Sequence, residues 1–431
     1  MKKLLLAFYG DDFTGSTDAL ECIWLAGATA ILFVDPPTPE QIAAYPGLES
    51  FGVAGFTRSL APGEMEAILV PAFKRMKATG ARHVHYKVCS TFDSLPRMGS
   101  IGKAIDCGAR VFQNRTIPVL GGTPGLGRYC LFGNLFARLG TSAKGLIHRL
   151  DRHPSMSTHP VTPSKEADLR VHLGQQTSKP IGLIDILQLE KPIADINGHN
   201  TEEVVLIDTL TEDNLLKIGE WIDKESDGVN PLFSVGSSGV ETALGAYWGK
   251  AGILKPASQM AEVGTATHIL VVSGSRSPVT TAQVLYAKSK GFEEVIINAE
   301  NIDSHDAIDP DIFDEVHHLL QQQKSVLIHT GEKEFQNLSA RKLGKVLGQV
   351  VLSAAEKSLV KRVVIAGGDT SSFTARAMEI EAVEMVGPIV TGAPLCRAIS
   401  KNKNIHGLEV NFKGGQVGAE NYFEVLLNGR T

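Results

Sequence analysis

Leu4-Leu5-Leu6-Ala7-Phe8-Tyr9 runs directly into Gly10-Asp11-Asp12-Phe13-Thr14-Gly15-Ser16-Thr17-Asp18. An apolar run of that length reads as a buried strand. It ends in glycine, two adjacent carboxylates and hydroxyls, and a helical pattern opens at about Asp18. In open α/β sheets, ligands bind just beyond the carboxyl ends of the strands. Burying two adjacent carboxylates is costly unless each is paired, hydrogen-bonded or metal-bound. Asp11 and Asp12 are therefore candidates for contact with a substrate hydroxyl or a cation. The plainer alternative is that one caps the helix and the other is solvated.

The same alternation of strand and helix continues outward from this junction. In the first half, strands are expected at Leu4–Tyr9, Ala30–Val34, Ser50–Ala54, His83–Val88, Val119–Leu120 and Val204–Asp208, and helices at Thr17–Ala26, Gly63–Thr79 and Pro96–Cys107. A second series begins near His268. Its strands are Ile269–Val272, Val295–Asn298, Ser325–His329 and Arg362–Ala366. Its helices start at Pro278, Asp311, Ser339 and at the turn Gly367-Gly368-Asp369-Thr370-Ser371-Ser372. This pattern places the chain in the α/β class, as two domains, each with a mainly parallel sheet flanked by helices. The expected division is 1–248, a linker over 249–267 with weak periodicity, and 268–431. Residues 121–177 are rich in Gly, Pro and His and resist assignment; loops of that length are usually functional.

With 431 residues, 43% of them hydrophobic and 21% charged, the chain can bury two ordinary cores. Its net charge of -5 offers no basic footprint for nucleic acid, and no apolar run is long enough to suggest a membrane span. The opening residues read as a strand rather than a cleavable signal. Five dispersed cysteines without a Cys-x-x-Cys pair favour reduced thiols and a cytoplasmic setting.

Two turns in the second half share one chemistry: Ser273-Gly274-Ser275-Arg276-Ser277-Pro278 and Gly367-Gly368-Asp369-Thr370-Ser371. Each puts small residues and open backbone amides at a helix N-terminus, where the helix dipole favours an anion such as phosphate. Lys413-Gly414-Gly415-Gln416-Val417-Gly418 is a third candidate. None matches G-x-x-x-x-G-K-[ST] or G-x-G-x-x-G, so a nucleotide site here is of another kind.

The first half has its own polar clusters. Lys87-Val88-Cys89-Ser90-Thr91-Phe92-Asp93-Ser94 follows one strand and Thr57-Arg58-Ser59 another. Lys87 and Arg58 would take a carboxylate, while Asp93 and Ser90 would take hydroxyls, which suits a small polyhydroxylated acid. Capping and surface ion pairing are the alternative. His83 and His85 share one face of a strand, but no third ligand stands at metal spacing, so no metal site is expected. His148, His153 and His159, near Arg149 and Arg152, line either a pocket or a solvated loop.

Asp11-Asp12-Phe13-Thr14-Gly15, the Lys87–Ser94 cluster, Ser273-Gly274-Ser275 with Ser277-Pro278 and Gln283, and Gly367-Gly368-Asp369-Thr370-Ser371 occur in this order. The set resembles the four-carbon acid sugar kinase family, and the likeness extends to Gly125-Leu126-Gly127-Arg128-Tyr129 and Pro160-Val161-Thr162. Known members phosphorylate threonate, erythronate or 3-oxo-tetronate with ATP, and a relative acts on 3-oxo-isoapionate. The resemblance implies a sugar-acid-binding first domain and an ATP-binding second domain. It places Asp11, Asp12, Arg58, Lys87, Ser90 and Asp93 near the acid. It places Ser275, Gly367, Gly368, Asp369, Thr370 and Gly415 near ATP. One departure stands out: the family often carries Asn-Phe-Gly after the C-terminal glycine, where this chain has Gln416-Val417-Gly418.

The expected activity is ATP- and Mg²⁺-dependent phosphoryl transfer to a small sugar acid. Such transfer relies on alignment and charge neutralisation. Asp12 is the candidate base, Asp11 orients it or holds Mg²⁺ through water, and Asp369 is the alternative carboxylate on the magnesium side. A homo-oligomer is left open. The rival readings are a nucleotide-dependent oxidoreductase, which lacks its fingerprint here, and a non-catalytic sensor of sugar acids and nucleotides.

Overall fold

A computed structural model describes residues 4–139, 145–159, 162–196, 202–255, 263–300, 302, 308–331 and 338–429, without the side chain of Asp369. Residues 160–161 of Pro160-Val161-Thr162 and 256–262 of the expected linker therefore lie outside the described residues. The chain divides into two units that interleave in sequence. One comprises Met1–Asp11, Cys22–Ala30 and Pro36–Ala257, the other Asp12–Glu21, Ile31–Asp35 and Ser258–Thr431. The chain thus passes from one unit to the other between Asp11 and Asp12.

The sheet of the first unit has strands Ser50–Ala54, Leu6–Gly10, His83–Lys87, Leu232–Gly236, Ile117–Leu120, Val204–Ile207 and Ile181–Ile184, in that spatial order and all parallel. Most of its strands are buried throughout, which is why they read as near-continuous apolar runs. Gly10 is level with both Ala54 and Lys87. That register sets the turns carrying Asp11, Arg58 and Lys87 side by side. The core beneath them is aromatic: Phe112 stacks on Phe233 at 5.1 Å between ring centroids, and Phe73 meets Tyr9 edge-on at 6.3 Å.

In the second unit, Glu293–Ile296, Val326–His329, Leu270–Ser273, Arg362–Ala366 and Glu409–Lys413 are parallel neighbours. Ala393–Ile399, Ala382–Val390 and residues 31–33 continue the sheet in antiparallel pairing. Ser273 pairs with Ala366, and Ala366 with Lys413. The three glycine-bearing turns of this unit therefore leave the sheet at one level. Phe13 packs on Phe412 at 4.1 Å.

Several elements correct the sequence expectation. The first helix spans Phe13–Leu25, not Thr17–Ala26, because Asp12 accepts from Gly15 N at 2.7 Å and so starts the helix early. The helix expected at Pro96–Cys107 is Ile101–Phe112, opened by Ser100 accepting from Lys103 N. Residues 121–177 hold an antiparallel sheet of three strands, Arg128–Leu131, Asn134–Arg138 and Ile147–Arg149. Among the described residues no helix is long and apolar enough to cross a membrane, and the five cysteines are free thiols.

Candidate active site

Two polar clusters stand at strand ends, one in each unit. In the first, Arg58 grips Asp11 with both arms of its guanidinium, Nε to Oδ2 at 3.1 Å and Nη2 to Oδ1 at 2.7 Å. The backbone reinforces this pairing, since Arg58 N donates to Asp11 O and Asp11 N to Lys87 O. Lys87 is buried, and its Nζ donates to Val88 O. Thr91 Oγ1 bridges Cys89 and Asp93, donating to Asp93 Oδ1 at 2.8 Å. Burial, helped by the negative charge of Asp93, pushes the Cys89 thiol up to about 11, so it is an inert neighbour rather than a nucleophile. Ser90 lies half-buried in the same turn. Asp93 also borders a small cleft with Thr91, Ser94, Thr162, Glu166 and His172. Burial lowers the His172 imidazole, and Ser94 Oγ meets its Nε2 at 2.9 Å.

In the second unit the three turns converge. Gly274 N donates to Ala366 O, and Gly367 N to Lys413 O at 2.8 Å. Gly367 has φ +123°, and a β-carbon there would stand 3.2 Å from Ser275 N. A β-carbon on Gly274 would fall 2.3 Å from Thr370 Oγ1. Both positions need glycine, the first for its dihedral and the second for close approach. A β-carbon on Gly415 would lie 3.2 Å from Ser275 Oγ. Gly367 opens the helix Gly368–Ala377, whose first amides have no acceptor within the helix. Ser275, Gly367, Gly368, Thr370 and Gly415 are thus gathered in one place. The backbone of Asp369 is in the same turn of helix.

Asp12 belongs to this second gathering. Its Oδ1 takes Gly15 N at 2.7 Å and its Oδ2 takes Thr14 Oγ1 at 2.9 Å. The same Oδ2 lies 3.2 Å from where a β-carbon of Gly368 would stand. Asp11 and Asp12, adjacent in sequence, therefore serve different clusters.

Residues 6–244 match the model of a sugar-binding N-terminal domain and residues 270–423 that of a nucleotide-binding C-terminal domain. Over 99% of this chain and 95% of the relative, the sequence is 39% identical to a 3-oxo-isoapionate kinase of Paraburkholderia graminis. The chain belongs to the four-carbon acid sugar kinase family. More distant members include a 3-oxo-tetronate kinase of Pseudomonas fluorescens, 25% identical over 98% of this chain and 96% of that one. The fold is shared with a solved Salmonella typhimurium protein at TM-score 0.75 and 22% identity, over 98% of each chain.

Within this family member, some polar residues are structural. His83 Nε2 meets Asp223 Oδ1 at 3.0 Å and His85 Nδ1 meets Ser234 Oγ at 3.2 Å. Both imidazoles are lowered by burial, His85 to about 3. His148 and His153 pack ring against ring, and His159 Nδ1 accepts from Thr162 N. Arg128 turns back onto Leu126 O at 2.6 Å.

In the second cluster, sequence reasoning quotes Lys413 and Gln283 within motifs without giving them a role, and it misses Thr280. Lys413 is fully buried, with Nζ donating to Thr280 Oγ1 and Gly414 O, each at 2.9 Å, and to Gly415 O at 3.4 Å. Thr280 Oγ1 in turn donates to Gly415 O at 3.1 Å and meets Ser275 Oγ at 2.9 Å. Gln283 Nε2 donates to the carbonyls of Val417, Gly418 and Ala419. The available signal for Lys413 was its place at a strand end, directly before a glycine pair.

Proposed function

We propose that this sugar-acid kinase transfers the γ-phosphoryl group of ATP to a hydroxyl of 3-oxo-isoapionate or an acid of the same build. The choice of acid follows the relative at 39% identity over the 3-oxo-tetronate kinases at 25% and 27%. The observation that carries the reading is the gathering of three glycine turns and the Asp12 carboxylate at the start of the helix Gly368–Ala377. Amides at a helix start, with small residues that let an anion approach, are suited to phosphates.

In this reading residues 1–248, apart from the Asp12 segment, hold the acid, and residues 268–431 hold the nucleotide. Ser275, Gly367, Gly368, Asp369, Thr370 and Gly415 line the phosphates. Arg58 and Lys87 take the acid's carboxylate, and Ser90 and Asp93 take its hydroxyls. Asp11, held by Arg58, orients the guanidinium. Asp12 accepts the proton of the attacking hydroxyl, the hydroxyl oxygen bonds to the γ-phosphorus, and ADP leaves. Mg²⁺ is usually bound through one or two carboxylates plus substrate phosphates; Asp369, whose backbone lies in the first turn of the helix Gly368–Ala377, is the carboxylate this reading gives it, and Asp12 is kept as the base. When bound there, the ion would neutralise charge on the phosphates. The five free thiols fit a reducing, cytoplasmic setting.

The test is coupled ADP release with ATP, Mg²⁺ and a panel of 3-oxo-isoapionate, 3-oxo-tetronate, threonate and erythronate. The highest kcat/KM is expected with 3-oxo-isoapionate. Faster turnover of 3-oxo-tetronate would reassign the substrate. Silence across the panel, with ATP bound in calorimetry, would move the acceptor outside these acids.

A further inference from the structure

Lys413 ends the strand Glu409–Lys413 and has no exposed surface. Its ammonium touches one hydroxyl and two backbone carbonyls, and the Tyr422 ring lies 5.6 Å away. No carboxylate pairs with it among the described residues. Buried charges are normally paired or metal-bound, because the charged form is otherwise heavily disfavoured. A cation with no countercharge among the described residues is therefore a cost to the folded chain.

Its position suggests what the cost is for. Nζ reaches the carbonyls of Gly414 and Gly415, the glycine pair that stands against Ser275. Through Thr280 Oγ1 it is linked to the Ser275 hydroxyl. The carbonyl of Gly415 also accepts from Ser277 Oγ and Thr280 Oγ1. Carbonyls drawn onto one side of this loop are carbonyls that do not face an incoming anion.

We propose that Lys413 is the positioning cation of the nucleotide site, holding the Gly414-Gly415 carbonyls aside and supplying countercharge to the nucleotide's phosphates. This rests on the assignment of ATP to the three glycine turns. Burial alone draws the ammonium down to about 7, and a phosphate nearby would restore its charge. The effect on binding then scales with the number of phosphates, which a purely structural lysine would not produce.

The experiment is calorimetry of ATP, ADP, AMP and adenosine with the full chain and with Lys413→Met, together with thermal melts of both. Loss of a charge-assisted contact should weaken ATP by about ten- to a hundredfold, with a smaller loss for ADP and AMP and none for adenosine. The Met side chain removes an unpaired buried charge, so the variant should melt at or above the wild-type temperature. Equal losses for all four ligands, a lowered melting temperature, or failure to fold would each overturn the proposal by making Lys413 structural. A wild-type chain that binds none of the four, or a Gly368→Val variant that binds ATP normally, would instead dismiss the nucleotide assignment itself.

Discussion

At the strand ends of the first unit, the guanidinium of Arg58 meets a carboxylate, Asp11, at 2.7 Å. At those of the second, the ammonium of Lys413 meets a hydroxyl, carbonyls and the Tyr422 ring, and no carboxylate among the described residues. The Arg58 cation carries its own countercharge without a ligand. The Lys413 cation has none among the described residues. If the first cluster holds the sugar acid, as proposed, its ion pair pre-orients the guanidinium for one carboxylate; if the second holds the polyphosphate, an ammonium with no carboxylate partner among the described residues can answer phosphate charge. Of the two adjacent carboxylates, Asp12 accepts from an amide and a hydroxyl, and Asp11 accepts from the Arg58 guanidinium.

The largest expected effect tests Asp12. Asp12→Asn keeps the acceptor for Gly15 N and loses the base, so kcat should fall by about a hundred- to ten-thousandfold with the fold intact by circular dichroism. Near-normal turnover would remove Asp12 from that role and return it to capping. Next is the ion-paired cluster. Arg58→Met should raise KM for the acid about tenfold or more and leave KM for ATP within about twofold. Equal shifts in both constants would erase the distinction between the clusters.

Lys413 offers a smaller effect that reads the second cluster without a ligand. Its ammonium sits at about 7 in the folded chain against an ordinary 10.5. Between these values the unfolded chain holds a proton that the folded chain lacks. Stability should therefore rise with pH across that window, by at most about 1.4 kcal/mol per unit. Lys413→Met should flatten this rise in urea titrations run from pH 7 to 10. An unchanged slope would mean the amine is charged already, and the contrast with Arg58 would weaken.

Much of the fold was legible because buried strands leave apolar runs, and every strand cited in the first and second halves has a structural counterpart. The glycine turns were legible as strand-to-helix turns, since small residues suit the dihedral of Gly367 and the close approach at Gly274. The antiparallel sheet within 121–177 was not, because Arg128–Leu131 and Ile147–Arg149 are short and only half-buried and so carry no clean periodicity. The split between Asp11 and Asp12 could not be read either. It depends on Arg58, distant in sequence, arriving beside one carboxylate and on Gly15 closing over the other. Lys413 was legible as the start of a glycine turn, but its burial stayed hidden for a related reason: a lysine is ordinarily solvated, and only the packing of the turns around it shows otherwise.

Glu21 separates a buried charge that serves binding from one that merely burdens the fold. It lies in the helix Phe13–Leu25, in the same unit as Lys413, and accepts from Gly392 N at 2.6 Å. Burial, opposed by that hydrogen bond and helped by Asp18, raises its carboxyl from 4.5 to about 7. Between those values the folded chain holds a proton that the unfolded chain has lost. The stability this confers is complete below pH 4.5 and is lost as pH rises through 7. Glu21→Gln keeps the acceptor and removes the titration, so it should be more stable than wild type at pH 8, by at most about 3 kcal/mol. ATP affinity should stay within about twofold, since no phosphate turn contains Glu21. If the variant instead lost ATP as steeply as Lys413→Met, the loss would belong to buried charge in this unit generally. If only Lys413 moves ATP while both move the pH profile, the uncompensated ammonium is the one retained for the nucleotide.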